Sequence, residues 1–159
     1  MIELREEASG SAASRALFDE YLALIRERVD DPDFFPGERV FATEDAFAAP
    51  ATAWLVAYRD GEPVGCGGLR TLAPGIGEIK RMFVTARARG DGLGRRLLHA
   101  LEARAVAAGH THVRLLTTPI LDEARSLYAA DGYAEIERMR HAGGPEEIWM
   151  EKALGGAGA

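Results

Sequence analysis

Cysteine is nearly absent: the 159-residue chain has one, Cys66, so no intrachain disulfide can form. Cys66 sits in the run Val64-Gly65-Cys66-Gly67-Gly68-Leu69 and reads as a small buried hydrophobe rather than a nucleophile. No apolar run approaches the ~20 residues that a membrane span needs. The opening Met1-Ile2-Glu3-Leu4-Arg5-Glu6-Glu7 is charged and lacks the apolar core of a secretory signal, so a cytoplasmic protein is the expectation, with no membrane partner. Positive charge is in deficit, at 19 Lys and Arg against 25 Asp and Glu, which argues against a nucleic-acid binder driven by phosphate contacts. An acidic surface favours cationic partners instead, amines among them. The four histidines, 99, 110, 112 and 141, are scattered without a spaced set of further ligands, so no metal is expected.

What is present suits one ordinary domain. Apolar residues make up 47% of the chain, enough for a core, and no linker or repeat divides it. The domain is expected to run from residue 1 to 154. The glycine-rich 155–159 has nothing to pack and is expected to be disordered.

Periodicity and turn chemistry give an α+β order. Ile2 to Glu6 alternates as a strand, and a helix follows with Leu17, Tyr21, Leu24 and Ile25 on one side. From Asp30 to Pro50, three prolines and scattered aromatics indicate a long loop of the kind that usually carries function. Thr52–Tyr58 and Pro63–Leu72 read as strands joined at Asp60-Gly61, a hairpin signal. Gly65, Gly67 and Gly68 in the second point to a bulge or a close backbone approach. Gly75-Ile76-Gly77 reads as a turn and Glu78–Val84 as the next strand of an antiparallel meander. Gly92 to Ala108 is the strongest helix, with Leu93, Leu97, Leu101 and Ala105 on one face and Gly109 as its stop. His112–Thr117 is a strand. Thr118 and Pro119 read as N-cap and first position of a helix running to Asp131. Tyr133–Arg138 and Ile148–Lys152 close a mixed, mostly antiparallel central sheet flanked by helices.

The segment Arg89-Gly90-Asp91-Gly92-Leu93-Gly94 joins a strand to that strongest helix. The first N–H groups of a helix have no partner within it, and with the helix dipole they form an anion site. Glycine lets a phosphate reach the backbone where a Cβ would intervene. Arg87, Arg89, Arg95 and Arg96 surround the turn, a basic cluster in an acidic chain. The spacing is neither a P-loop, which ends in Gly-Lys-Ser/Thr, nor a dinucleotide fingerprint, whose third glycine would fall at Arg95.

Arg89-x-x-Gly92-x-Gly94 resembles the Arg/Gln-x-x-Gly-x-Gly/Ala signature of the GNAT superfamily of N-acetyltransferases. Glu78-Ile79-Lys80-Arg81-Met82-Phe83-Val84 resembles the strand before that signature. Ala124-Arg125-Ser126-Leu127-Tyr128-Ala129-Ala130-Asp131-Gly132-Tyr133 resembles the later pattern Ala-x-x-Leu-Tyr-x-x-x-Gly-Phe/Tyr. The likeness runs from about Trp54 to Lys152 and implies a GNAT-like fold with acetyl-CoA as co-substrate. It implies that the amides of Arg89, Gly90, Asp91, Gly92, Leu93, Gly94 and Arg95 hold the pyrophosphate. The pantetheine arm would lie along Met82, Phe83 and Val84, with a backbone N–H near Met82 for the thioester carbonyl. Tyr128 would protonate the departing thiolate, and Glu78 matches the position from which some members draw a general base. Asp91 and Leu121 depart from the pattern. The first is a carboxylate where members often carry a cation or an amide; the second is apolar where many have Asn or Gln.

The implied reaction is direct transfer of an acetyl group to a primary amine of a small molecule in a ternary complex. A protein or peptide acetyltransferase and a non-catalytic acyl-CoA-binding module are the rival readings, and a homodimer is left open. Phe34 and Phe35, among the acidic residues Asp30, Asp31, Asp33 and Glu38, are expected with Glu78 on the acceptor side.

Overall fold

The computed structural model describes residues 1–29, 52–140 and 146–155, all except the side chain of Arg140. In chain order they form β1 (Ile2–Glu6), α1 (Ala12–Arg28), β2 (Ala53–Arg59), β3 (Glu62–Ala73), β4 (Ile76–Val84), α2 (Leu93–Ala107), β5 (His112–Thr117), α3 (Asp122–Ala130), β6 (Ala134–Arg140) and β7 (Glu146–Ala153). A short 3-10 turn, Ala86–Ala88, leads into α2. Residues 30–51, which include Phe34 and Phe35, lie outside the described residues, as do 141–145 and 156–159.

The strands make one sheet in the order β1-β2-β3-β4-β5-β7-β6. Four strands come first as a meander, because short turns can only return the chain antiparallel. At the first turn Asp60 and Gly61 both take positive φ, 51° and 86°, as a two-residue hairpin requires. β4 and β5 are parallel, and α2 supplies the crossover that such a pair needs. The remaining pairs are antiparallel. The mixed, mostly antiparallel sheet is therefore as expected.

Each face of the sheet has its own core. Under α2, Leu97, Leu98, Leu101 and Ala105 bury against Leu55, Ala57, Leu69, Ile79, Val113 and Leu115. Each fully buried leucine is worth at most about 1.5–3 kcal/mol. Gly65 and Gly67 make this approach possible. A Cβ on Gly65 would lie 3.1 Å from Leu97, and one on Gly67 would lie 2.9 Å from Leu101. Under α1, Leu17 meets Trp54, Val56, Cys66 and Phe83. Ser11 caps α1 through the N–H of Ser14, and the Ser14 hydroxyl accepts the buried Trp54 indole N–H at 2.9 Å, so the buried indole keeps a partner.

Two expected boundaries move. β4 begins at Ile76, and Gly77 is paired within it opposite Thr71, not in the turn. A Cβ there would come within 3.0 Å of His110 and of Leu69, so this glycine serves close packing. α3 begins at Asp122 rather than at Pro119. The Leu121 N–H closes a separate turn on the Thr118 carbonyl at 3.0 Å, and Asp122 and Glu123 then favour the positive end of the helix dipole.

β4 carries the irregularity that matters for function. Cys66 pairs with Phe83 but Gly68 pairs with Lys80, so Gly67 faces two residues, Arg81 and Met82. Arg81 absorbs the extra residue with φ at 58°, which marks a bulge. In addition, β4 pairs with β5 only from Ile76–Ile79 to His112–Leu115. β5 then follows β7, with Leu116 opposite Trp149 and Thr117 opposite Ile148. The Met82–Val84 stretch of β4 therefore has a partner on the β3 side only, and a wedge opens where β4 and β5 part.

Candidate active site

That wedge is the wall of a cleft of about 380 Å³. Met82, Phe83 and Val84 line one side. Gly90, Gly92, Leu93, Gly94 and Arg95 line the mouth, and Tyr128 lies at the α3 side. Of the ten cofactor positions anticipated from sequence, only Asp91 is not in the lining.

The mouth is built by the backbone. Gly92 is the N-cap of α2 with φ at 75°, and no side chain caps this helix end. The first-turn amides thus lack an acceptor within the helix and face the cleft. Gly90 and Gly92 hold positive φ, and a Cβ built on either meets nothing within 4 Å, so the space before these amides is open. The exposed Asp91 carboxylate is turned aside, 2.6 Å from Arg59. Arg89 donates to the Val84 carbonyl at 3.2 Å and stands 3.5 Å from Glu123, which Arg28 also holds. Burial raises the pKa of Glu123, but hydrogen bonds from the backbone and Arg28 leave it below the ordinary value. The cleft mouth therefore joins free amides to arginines whose charge is only partly spent, which is a fit for a diphosphate and, along β4, for the arm of acetyl-CoA.

Tyr128 lines the cleft from α3. Its ring is nearly buried and packs 5.8 Å from Tyr133, whose N–H donates to the Tyr128 carbonyl at 2.9 Å. Its hydroxyl has no hydrogen bond among the described residues. Burial, and to a lesser degree the neighbouring Tyr21, drives its pKa far up, so the phenol keeps its proton. Tyr133 is fixed in turn: its hydroxyl donates to Glu102 at 2.7 Å, and Lys152 bridges Glu102 and Asp131 at 3.1 Å each. His99 adds a contact to Asp131 at 2.8 Å. His99, Glu102 and Asp131 come close enough to hold a cation, but the Lys152 ammonium already bonds both carboxylates. Their separation along the chain hid this network from the sequence.

Glu78 is not among the cleft-lining residues. It is 2% exposed on β4, with Arg70 at 2.9 Å and Lys80 at 3.7 Å, both on its Oε1. A direct approach to a substrate is closed to it, and any proton transfer would run through water. Sequence reasoning missed Tyr21 and Leu24, which bring α1 into the cleft lining. Their place on the apolar face of α1 was visible, but apolar helix positions carry no sign of which cavity they reach. Leu121, where an amide side chain was missing, contributes apolar surface to the same wall.

Cys66 is buried, and burial pushes its thiol up to about 12 against a smaller opposing pull from Arg81. At pH 8 the thiolate, the reactive form, is scarce. The native protein should therefore react with iodoacetamide at least about 100-fold more slowly than the urea-unfolded chain. Equal rates would place the thiol at the surface.

Comparison with known proteins supports the family and the fold. The model of the acetyltransferase (GNAT) family matches residues 15–133. An IAA acetyltransferase of Azospirillum brasilense is 39% identical over 126 residues, which are 77% of this chain and 82% of that one. Among solved structures, a Klebsiella pneumoniae protein assigned to the acyl-CoA N-acyltransferases is 30% identical, with a TM-score of 0.73 over 97% of this chain and 98% of that one. The yncA protein of Salmonella typhimurium, solved with its cofactor acetyl-CoA, is 18% identical with a TM-score of 0.74, over 100% of this chain and 97% of that one; it shows likeness of fold alone. The protein is thus an acyltransferase that depends on acetyl-CoA. More particularly, the chain belongs to the acetyltransferase (GNAT) family. Among the described residues, no helix is long and apolar enough to cross a membrane.

Proposed function

We propose that this acetyltransferase transfers its acetyl group directly to a primary amine of a small molecule, with both substrates bound at once. The observation that carries this reading is one continuous cleft lined both by the uncapped start of α2 and by Tyr128 of α3. Acetyl-CoA, when bound, supplies an activated thioester. The amides from Arg89 to Arg95 hold its diphosphate, and the free edge of Met82–Val84 orients its arm. Tyr128 then holds a proton ready for the leaving sulfur. With Cys66 buried and protonated, no thiol nucleophile is poised for a covalent enzyme intermediate among the described residues, which supports direct attack.

An alkyl ammonium has no lone pair, and near neutral pH most amines are charged, given a pKa of about 10.4 for a lysine-like group. Glu78, relayed by water past Arg70 and Lys80, takes the base role. Glu78→Gln should lower kcat/KM by about tenfold at pH 7. The gap from wild type should widen toward low pH, where free amine is scarcer, and narrow as pH nears 10. Parallel pH profiles would return Glu78 to a purely structural ion pair.

The reading is tested by following thiol release from acetyl-CoA across a panel of small amines, lysine-bearing peptides and IAA, the last included because a relative carries that name. Turnover of small amines is the expected result. Turnover of peptides or IAA alone, or tight acetyl-CoA binding without any turnover, would overturn it.

A further inference from the structure

We propose that the amine acceptor also carries a carboxylate, and that Arg70 and Lys80 recognise it; this rests on the small-amine reading above. The argument begins with a charge imbalance. Glu78 supplies one negative charge to two cations, which share the same oxygen atom. Arg70 holds the close position at 2.9 Å, and Lys80 is left with a long 3.7 Å contact. Among the described residues Lys80 has no other ion-pair partner. Both cations are about one-third exposed, while the carboxylate beneath them is closed off. Their outward N–H groups are thus open to solvent and to a second anion. Burial disfavours the charge on Lys80, and the fields of Arg70 and Arg81 add to that cost against the help of Glu78. An anion docking on the pair would relieve both.

The position is suitable as well. Lys80 lies two residues before Met82, which begins the cleft-lining stretch of β4. The bulge at Arg81 lies between them and directs the Arg81 guanidinium over Phe18 of α1, so its charge faces the same side as Phe83 and Tyr21. Tyr21 lines the cleft and lies within electrostatic reach of both Arg81 and Tyr128. Arg70, Lys80 and Arg81 themselves stand outside the cleft lining, on the stretch of sheet that leads into its Met82–Val84 wall. An amino acid, with amine and carboxylate a few ångströms apart, would set its amine at the Met82 end of the cleft and its carboxylate on Lys80.

The experiment compares each amino acid with its own carboxamide and its decarboxylated amine, in wild type and in Lys80→Gln and Lys80→Arg. Wild type should favour the carboxylated acceptor by roughly tenfold in kcat/KM, the scale of a charge-assisted contact. Lys80→Gln should raise KM for that acceptor and collapse the ratio toward one, with Lys80→Arg restoring it. Equal turnover of acid and carboxamide by wild type, or a Lys80→Gln loss equal for both, would overturn the inference while leaving an amine acetyltransferase. Failure to acetylate any amine would overturn the parent reading itself.

Discussion

Gly92→Val is expected to weaken acetyl-CoA binding by about 100-fold or more while the protein remains folded. Gly92 stands at φ 75°, and valine is strongly disfavoured there, at a cost of about 1–3 kcal/mol. No internal clash would force the issue, since a Cβ at this position meets nothing within 4 Å. The variant can respond in two ways. It can keep the left-handed turn and place a branched side chain in the space before the α2 amides. Or it can relax the backbone, and then the amides of Leu93, Gly94 and Arg95 no longer converge. Either response removes the anion site. The contrast with Gly109→Val separates binding from strain. Gly109 has φ 87°, equally open surroundings and the opposite end of α2, about 22 Å away. Both variants should lose similar thermal stability, and only Gly92→Val should lose affinity by isothermal titration calorimetry. Unchanged acetyl-CoA affinity in Gly92→Val would remove the helix mouth from the binding mechanism.

Most of the sheet and the cleft mouth could be read from local chemistry. Asp60-Gly61 named its own turn, the leucines of α2 named its buried face, and Gly90, Gly92 and Gly94 named a helix start left open to an anion. Each of these features is settled within a few residues. The start of α3 was misplaced because Thr118-Pro119 carries a strong local start signal, and the Leu121 to Thr118 turn overrides it. The bulge was legible from one side only: Gly65, Gly67 and Gly68 pointed to a bulge or a close approach on β3, and the irregularity falls opposite Gly67, but its positive φ at Arg81 was not. It depends on how β3 glycines allow α2 and β4 to pack, and nothing in Lys80-Arg81-Met82 marks a positive φ. The same holds for the charges around Glu78. Lys80 is visible two residues away, but Arg70 arrives from the neighbouring strand, opposite Glu78 in register. Sequence thus named the carboxylate as a candidate base, and pairing across the sheet showed that two cations enclose it.

Tyr128→Phe is expected to reduce kcat by about 100-fold, the low end of what a positioned general acid supplies, with the acetyl-CoA dissociation constant nearly unchanged. The substitution removes one oxygen from a ring that packs against Tyr133 and keeps the ring itself, so α3 should hold its place. The argument for a large effect is electrostatic. A thiolate leaving into a largely apolar pocket is poorly solvated, and Tyr128 in the same pocket carries a phenol that burial keeps neutral. The direction of that shift also fixes the pH behaviour. Because the folded-state pKa lies above the ordinary tyrosine value of about 10, the acid stays protonated at neutral and mildly alkaline pH. Wild-type kcat should therefore show no alkaline decline from this group below pH of about 10. Tyr128→Phe should lower the whole profile rather than shift its midpoint. A variant within twofold of wild type would mean that solvent or the incoming amine protonates the sulfur, and Tyr128 would then serve only as part of the cleft wall.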